Sequence, residues 1–408
     1  MISLVKAVRS GHWPSLLGAW LHFEVSFMIW LLIGALAVSI SDDFGLTATQ
    51  KGFLVAVPLL GGALLRIVVG LCSDQYGTKN TGTVLLLCEL IAVIWGWQWA
   101  TSYRQILAAG LLLGVAGASF AVALPIASYA YPPMHQGVAM GIAAAGNSGA
   151  VLAMLFAPRL GEMVGWHGVF GLVLIPLTMT LLLFIALVQP DRGVSRQEQK
   201  QSWWDTTVAS VTQTSMYWVS FLYAVTFGGF VGFCSFLPIF LHDQYNVNLI
   251  TAGTITAVSG LIGSLLRPVG GYLADRFGGL AVLRAVFIGI ALCMGVVGIL
   301  PPLEHATAFT VAGIGAMGCG NGAVFQVVSA KFPKQMGMAS GLVGAAGGFG
   351  GFLLPFCLGV LKDLTGTFQT GLWLFSGAAV LAAITVRVAL QQGTAVLCSD
   401  RGPDGFCG

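Results

Sequence analysis

Long apolar stretches separated by short polar segments follow one another along almost the whole chain. Each is about as long as the roughly 20 residues that a helix needs to cross the hydrocarbon core of a bilayer. None has the alternating ten-residue pattern of a membrane β-barrel strand. The pattern predicts twelve membrane-spanning helices, near residues 15–40, 52–72, 82–101, 105–130, 137–158, 167–189, 214–241, 249–272, 280–300, 306–330, 337–361 and 370–391.

Composition agrees with an all-α membrane protein. The chain has 408 residues, of which 57% are hydrophobic and 8% charged, whereas soluble domains have about 25% charged residues. The first apolar stretch is too long, and at His22 and Glu24 too polar, for a cleaved signal peptide. Of eight cysteines, six lie in or beside the apolar stretches, where we expect them to act as small apolar residues. Cys398 and Cys407 lie in a short tail, where the alternatives are a disordered end and a disulfide or metal site.

The second half of the chain repeats the first at an offset of 201 residues, or 200 in the first helix of each half. This repeat predicts two pseudo-symmetric six-helix bundles, as in transporters whose substrate site lies between two halves. The predicted parts are an N-terminal bundle at 1–188, a cytoplasmic linker at 189–213, a C-terminal bundle at 214–391 and a tail at 392–408. The matching residues include Arg66 and Arg267, Asp74 and Asp275, Gly117 and Gly318, Gly146 and Gly347, and Gly165 and Gly366.

The distribution of lysine and arginine predicts that both termini are cytoplasmic and that the chain lies in the inner (cytoplasmic) membrane of the cell. In this orientation the inner segments hold twelve basic residues and the outer loops four, in agreement with the positive-inside rule. The net charge of +3 is spread over many loops, so no nucleic-acid partner is expected. The four outer residues are Lys51, Arg104, Arg159 and Lys362.

Two arginines interrupt the apolar runs at matching places, in "LLRIVVGLCSDQYG" (64–77) and "LLRPVGGYLADRFG" (265–278). A charge in mid-membrane costs a few kcal/mol and survives where it faces a cavity or an anionic partner. Asp74 and Asp275 follow Arg66 and Arg267 by eight residues, about 12 Å along a helix, and are poor partners. We interpret the arginines as the two sides of one site for a planar oxyanion, which fits the guanidinium fork. The alternative is a structural role, with bonds to backbone carbonyls or glutamates.

The loops after these arginines, "GLCSDQYGTK" (70–79) and "GYLADRFGG" (271–279), resemble the cytoplasmic loop motif of the major facilitator superfamily. The resemblance implies that Asp74, Asp275 and Arg276 act as a latch between helices in one conformation of the transport cycle. The first copy departs from the motif, because Gln75 stands where arginine is common.

Glycine-rich stretches suggest close helix packing with polar exceptions. Small residues allow membrane helices to approach each other, and this accounts for most glycines of 137–158 and 337–355. Asn147 and Asn321 lie within such glycine runs and are predicted to line the anion site, with packing as the alternative.

Two of these regions, "AGASFAVALPIASYAYPPMHQGVAMGIAAAGNSG" and "GCGNGAVFQVVSAKFPKQMGMASGLVGAAGGFGGFLLP", resemble the signature regions of the nitrate/nitrite porter family. The resemblance implies a transporter that binds nitrate or nitrite between the two arginines and between aromatic rings. Phe23 and Phe27 lie four residues apart, as do Tyr223 and Phe227, so each pair shares a helix face. Ordinary helix packing would place aromatic rings in the same way. The residues that the resemblance adds to the site are Phe23, Phe27, Gly117, Phe120, Tyr223 and Phe227, together with Asn147.

Glu24 is the candidate for coupling transport to protons, because a buried carboxyl beside an anion site can carry a proton. Its alternative role is a salt bridge to one of the arginines. Three functions follow: proton-coupled nitrate uptake, nitrate/nitrite exchange without a titrating acid, and, more remotely, a membrane sensor or enzyme. The chain has no nucleotide-binding loop, metal-ligand cluster or nucleophile beside a base, so we expect a monomeric transporter that is not an enzyme and holds no cofactor or metal.

Insertion of a short epitope tag near Gly193 should be tolerated, because 189–207 is the longest polar stretch between spans and is predicted to carry no part of the site. Trp203 and Trp204 in this segment suit a helix at the membrane interface. Uptake should equal that of the parent, and antibody should reach the tag only from the cytoplasmic side. Lost uptake at normal expression would contradict this prediction.

Overall fold

The structure, a computed structural model, describes residues 10–132, 135–190, 213–332 and 336–399, and these ranges contain helices and no β-strand. Most of the predicted linker, with Gly193, and the chain from 400 onward, with Cys407, lie outside the described residues. The helices are α1 Trp13–Phe44, α2 Ala48–Tyr76, α3 Thr78–Gln98, α4 Tyr103–Tyr129, α5 and α6 as the arms 138–164 and 166–187 of Val138–Leu187, α7 Thr214–Tyr245, α8 Leu249–Phe277, α9 Gly279–Gly298, α10 Leu303–Lys331, α11 Met336–Thr365 and α12 Gln369–Ser399.

These helices make twelve membrane passes. Eleven continuous helical stretches in the described ranges are long and apolar enough to cross a bilayer, and one of them, Val138–Leu187, has 50 residues. That stretch bends at Gly165, whose φ of 72° is left-handed and favours a residue without a Cβ. The bend divides it into α5 and α6. At the other end of the chain, α12 continues to Ser399, eight residues into the predicted tail.

The internal repeat is present in the backbone. Helices α2 and α8 have 29 residues each, begin after a side-chain cap at Thr47 and Asn248, and end at glycines with φ of 88° and 85°. The arginines occupy the nineteenth position of each helix. Gly366 repeats the left-handed conformation of Gly165 with φ of 75°. The two halves therefore place Arg66 and Arg267 at the same depth.

Helices α1 and α7 form the centre of the bundle. About 94% of the apolar stretch of α7 and 89% of that of α1 are buried, against 28% for α9 and α12. Large apolar side chains on the outer helices, such as Ile91, Leu292 and Leu381, are exposed, as expected for a surface that faces lipid chains rather than water.

Four helices are irregular near their middles. Helix α1 is interrupted at Leu31, and α4 at Ala118 and Ser119. Helix α5 contains a 3₁₀ turn at Ala145–Ser148, and α7 a π turn at Ala224–Gly228. Such local turns are frequent at functional sites.

The two halves contact each other at the face where α2 begins and α11 ends, here named the closed face. The carboxylate of Asp363 accepts hydrogen bonds from the backbone amides of Ala48 (3.1 Å) and Thr49 (2.8 Å). Lys51 on α2 forms a salt bridge of 2.7 Å with Asp243 on α7. A carboxylate is favourable at the positive end of a helix, so Asp363 stabilises α2 only while the halves are together.

Replacing Asp363 with alanine should favour opening at the closed face, because two amides of α2 lose an acceptor from the other half. Loss of such a cap costs about 1 kcal/mol, which is roughly a fivefold change in the open population. Spin labels on the loops before α2 and after α11 would report the distance between the halves.

Glu162→Ala is the matched control. Glu162 occupies the position 201 residues before Asp363 and is exposed, and within the described ranges it makes no hydrogen bond to α8. An equal change in both variants would show that the effect does not come from the cap.

Candidate functional site

A cavity lies between the halves near the middle of the helices. Its empty volume is about 260 Å³, which includes space open to solvent. Residues of both halves line it, so a ligand bound here would contact both halves. The lining residues are Phe23, Phe27, Arg66, Phe120, Asn147, Tyr223, Phe227, Arg267, Phe325 and Gly344.

Arg66 is buried in the wall of this cavity, with 5% of its surface exposed. One terminal nitrogen donates to the carbonyl of Gly117 on α4 (2.8 Å), and the other to the carbonyl of Gly344 on α11 (2.9 Å). Its Nε has no hydrogen-bond partner among the residues that the structure describes. Backbone carbonyls therefore solvate this cation, and one of them belongs to the opposite half.

Arg267 lies opposite, is only partly buried, and makes no hydrogen bond to a carbonyl within the described ranges. Its guanidinium carbon is 6.0 Å from the ring centres of both Phe120 and Phe325. The guanidinium carbon of Arg66 is 5.7 Å from the ring of Phe120. Phe120 thus contacts both cations, and the two are close enough to repel each other.

Aromatic rings form most of the remaining wall. Tyr223 and Phe227 stack almost in parallel, with ring centres 5.1 Å apart and planes 3° apart. Phe23 packs edge-on against Phe27 (5.5 Å) and Phe120 (5.7 Å). Each predicted pair on α1 and α7 therefore faces the cavity, including the pair that spans the π turn.

The amide of Asn147 is the neutral polar group on the N-terminal side of the cavity. It lies in the 3₁₀ turn of α5 and is 4% exposed, and no described residue is a hydrogen-bond partner of its Oδ1. The carbonyl of Gly117 accepts a hydrogen bond from Arg66, and Gly117 is not among the residues that line the cavity. Asn321 is buried on α10 but is not among the lining residues.

Glu24 lies behind the cavity wall. Its Oε2 is 2.7 Å from the hydroxyl of Ser148, and the described residues include no salt bridge between Glu24 and an arginine. Glu89 is also buried and pairs with Ser26 at 2.8 Å. The cavity lining therefore carries two positive charges and no acid, which favours an anion.

Comparisons with known proteins agree with this architecture. Residues 19–355 match the family model described as Major Facilitator Superfamily. A "Nitrite extrusion protein" of Bacillus subtilis (strain 168) is 32% identical over 367 residues, which are 90% of this chain and 91% of that protein. This chain belongs to the nitrate/nitrite porter branch of the major facilitator superfamily.

Further relatives of the porter have similar names. "Probable nitrate/nitrite transporter NarK2" of Mycobacterium tuberculosis (strain ATCC 25618 / H37Rv) is 34% identical over 375 residues, covering 90% of this chain and 93% of that protein. "Probable nitrate/nitrite antiporter NarK1" of Thermus thermophilus is 32% identical over 416 residues, covering 93% of each. Both alignments extend across the two halves.

Solved structures confirm the fold of the porter. A D-xylose-proton symporter has a TM-score of 0.74 at 18% identity and covers 92% of this chain and 97% of that chain. A bacterial homologue of the lysosomal transporter Spinster has a TM-score of 0.72 at 18% identity, covering 92% and 96%. The porter therefore has the fold of these two structures.

The latch residues of the porter lie away from the site. Asp74 and Asp275 are exposed near the ends of α2 and α8, and neither forms an ion pair with another described residue. The guanidinium carbon of Arg276 is 5.5 Å from the ring of Phe277. Their role as a latch stays a prediction.

Two lining residues of the porter were missed by sequence reasoning. Phe325 on α10 packs edge-on against Tyr223 at 5.1 Å, and Gly344 provides the carbonyl for Arg66. Phe325 lies one helical turn after Asn321, a signal that was available. Gly344 could not be selected among many neighbouring glycines.

The described residues of the porter contain no group of three or more His, Cys, Asp or Glu side chains that could hold a metal ion. Six cysteines in the described helices are free. The side chain of Cys398 and all of Cys407 lie outside the described residues.

Proposed function

We propose that the porter moves nitrate, and also nitrite, across the cytoplasmic membrane by alternating access, with Arg66 and Arg267 as the central binding residues. The observation that carries this proposal is the shared cavity, which is lined by one arginine from each half and by no acid. Relatives named as nitrate or nitrite transporters in three organisms support the choice of substrate.

The geometry favours a small planar anion. Guanidinium groups bind flat oxyanions through paired N–H donors, and the rings of Phe120, Tyr223 and Phe227 limit the space around them. An anion here would also reduce the repulsion between the two cations.

Substrate binding would change how the halves are connected. Arg66 now links them through the carbonyl of Gly344. Because an anion competes for the same guanidinium donors, its arrival replaces a bond to α11 with a bond to the substrate. Arg267 meets the anion from α8, so the bound anion joins the halves in place of the carbonyl.

Proton-coupled uptake is the first candidate for the driving force, with Glu24 as the proton carrier. An inward proton gradient would drive anion accumulation against a negative membrane potential. The second candidate is exchange of nitrate for nitrite, and it is favoured by a specific observation: Glu24 does not line the cavity and pairs with no arginine. The relative from Thermus thermophilus is named as an antiporter.

The proposed unit is a monomer in the inner membrane with both termini cytoplasmic, since one chain supplies both sides of the cavity. In this orientation the closed face is external, because α2 begins there. The salt bridge between Lys51 and Asp243 then separates the cavity from the outside.

Arg66→Lys and Arg267→Lys should each lower nitrate transport at least about tenfold, because lysine keeps the charge but loses the planar fork. Initial uptake into proteoliposomes at equal reconstituted protein measures the effect. Arg284→Lys, on an exposed arginine of α9, is the matched control and should transport as the parent does. Near-parental rates in either cavity variant would remove that arginine from the proposed site.

Glu24→Gln should bind nitrate and support nitrate counterflow but lose accumulation driven by a pH gradient, since glutamine cannot release a proton. The comparison is uptake with and without an imposed gradient, in the same vesicles. Accumulation equal to that of the parent would mean that another group carries the proton or that the porter is an exchanger.

A further inference from the structure

The hydroxyl of Ser148 lies between two oxygen atoms that can both accept its proton. Oγ is 2.7 Å from Oε2 of Glu24 and 2.8 Å from the carbonyl oxygen of Ala145. Both distances are hydrogen-bonding distances. A serine hydroxyl has one proton to donate, so it can donate to only one of these two oxygens at a time.

The proton on Glu24 decides which bond forms. When the carboxyl is protonated, its O–H donates to Oγ of Ser148, and the Ser148 hydroxyl donates to the carbonyl of Ala145. When Glu24 is ionised, it offers only acceptors, and the hydroxyl must turn toward the carboxylate. The carbonyl of Ala145 then loses its hydroxyl donor. Both close contacts are hydrogen bonds only in the protonated state.

Ser148 belongs to the same turn as a residue that lines the cavity. Ala145–Ser148 is the 3₁₀ turn of α5, and Asn147 within it lines the cavity. The turn packs directly on α1: a Cβ at Gly146 would lie 2.8 Å from the ring of Phe23 and 2.9 Å from the amide nitrogen of Glu24. A change in the hydrogen bonds of Ser148 is therefore transmitted within one turn to the amide of Asn147.

We propose that Ser148 is a positioning residue through which the protonation state of Glu24 sets the placement of Asn147 in the anion site. This inference rests on the proposed function and adds the route by which protonation of Glu24 changes the binding of the anion. It differs from the alternative role of Glu24, a salt bridge to one of the arginines, because within the described ranges Glu24 contacts α5 and forms no salt bridge to an arginine.

Other titratable and charged groups around α1 have different partners. Glu89 on α3 accepts from Ser26, and His22 contacts the carbonyl of Gly82 on α3. On α2, Arg66 is bonded to carbonyls of α4 and α11, and Arg267 of α8 lies across the cavity. The charged residues of α5, Arg159 and Glu162, follow Ser148 by eleven residues or more, about 16 Å along the helix.

The direction of the effect follows from the two states. The protonated state completes the turn and leaves no negative charge on Glu24, so it favours the anion. The ionised state removes the side-chain bond to the carbonyl of Ala145 and places a negative charge near the anion. Nitrate does not titrate near neutral pH, so any fall of its affinity with rising pH comes from the protein.

The test is calorimetric nitrate binding to the purified full-length porter over about three pH units around neutrality. The parent should bind more weakly as pH rises. Ser148→Ala should weaken binding about fivefold at acidic pH, as expected for one net hydrogen bond, and leave alkaline binding unchanged, because there Ser148 is already turned toward the carboxylate. Ser148→Thr keeps the hydroxyl and should restore acidic affinity. Glu24→Gln should bind at every pH as the protonated parent does.

Ser259→Ala is the matched control, because the Ser259 hydroxyl donates to a carbonyl of its own helix (Ile255, 2.7 Å) and has no acid beside it. It should bind nitrate as the parent does at each pH. Equal weakening of Ser148→Ala at acidic and alkaline pH, parental affinity of this variant in acid, or pH-independent binding by the parent would each overturn the inference. An absence of nitrate binding to the parent at every pH would instead refute the proposed function.

Discussion

The burial of Arg66 requires hydrogen-bond acceptors, and more than one helix supplies them. A guanidinium ion enclosed in the middle of a membrane protein needs acceptors to replace its water. The carbonyls of Gly117 and Gly344 supply two of them. A Cβ at Gly344 would lie 3.2 Å from the Arg66 side chain, so the glycine leaves room for the arginine. The glycine-rich stretches and the buried cation are therefore parts of one arrangement.

The two arginines of the repeat have different surroundings. Arg66 is held by backbone carbonyls, while Arg267 is partly exposed and rests against the rings of Phe120 and Phe325. The position that matches Gly344 in the first half is Ala143, where a methyl group leaves less room for a side chain to reach the backbone. One arginine is thus held by backbone carbonyls before a ligand arrives, and the other by contacts with side chains.

Features that depend on periodicity or on the repeat could be predicted from the sequence. The twelve passes, the two halves and the common depth of Arg66 and Arg267 follow from apolar length and from the 201-residue offset. The partner of Glu24 could not be predicted, because the angle of a residue around a helix does not reveal which neighbouring helix it faces. Asn321 was expected in the cavity from its glycine-rich surroundings, which describe packing as well as they describe a site.

The contact between Asp363 and the start of α2 has a consequence for water. Two backbone amides of one half are satisfied by a side chain of the other, and separation leaves these amides and the carboxylate to be hydrated. Water must therefore enter at this end as the halves part, before any ligand can pass. Solutes that are excluded from protein surfaces oppose such hydration, so osmotic pressure acts on the transport cycle at the closed face.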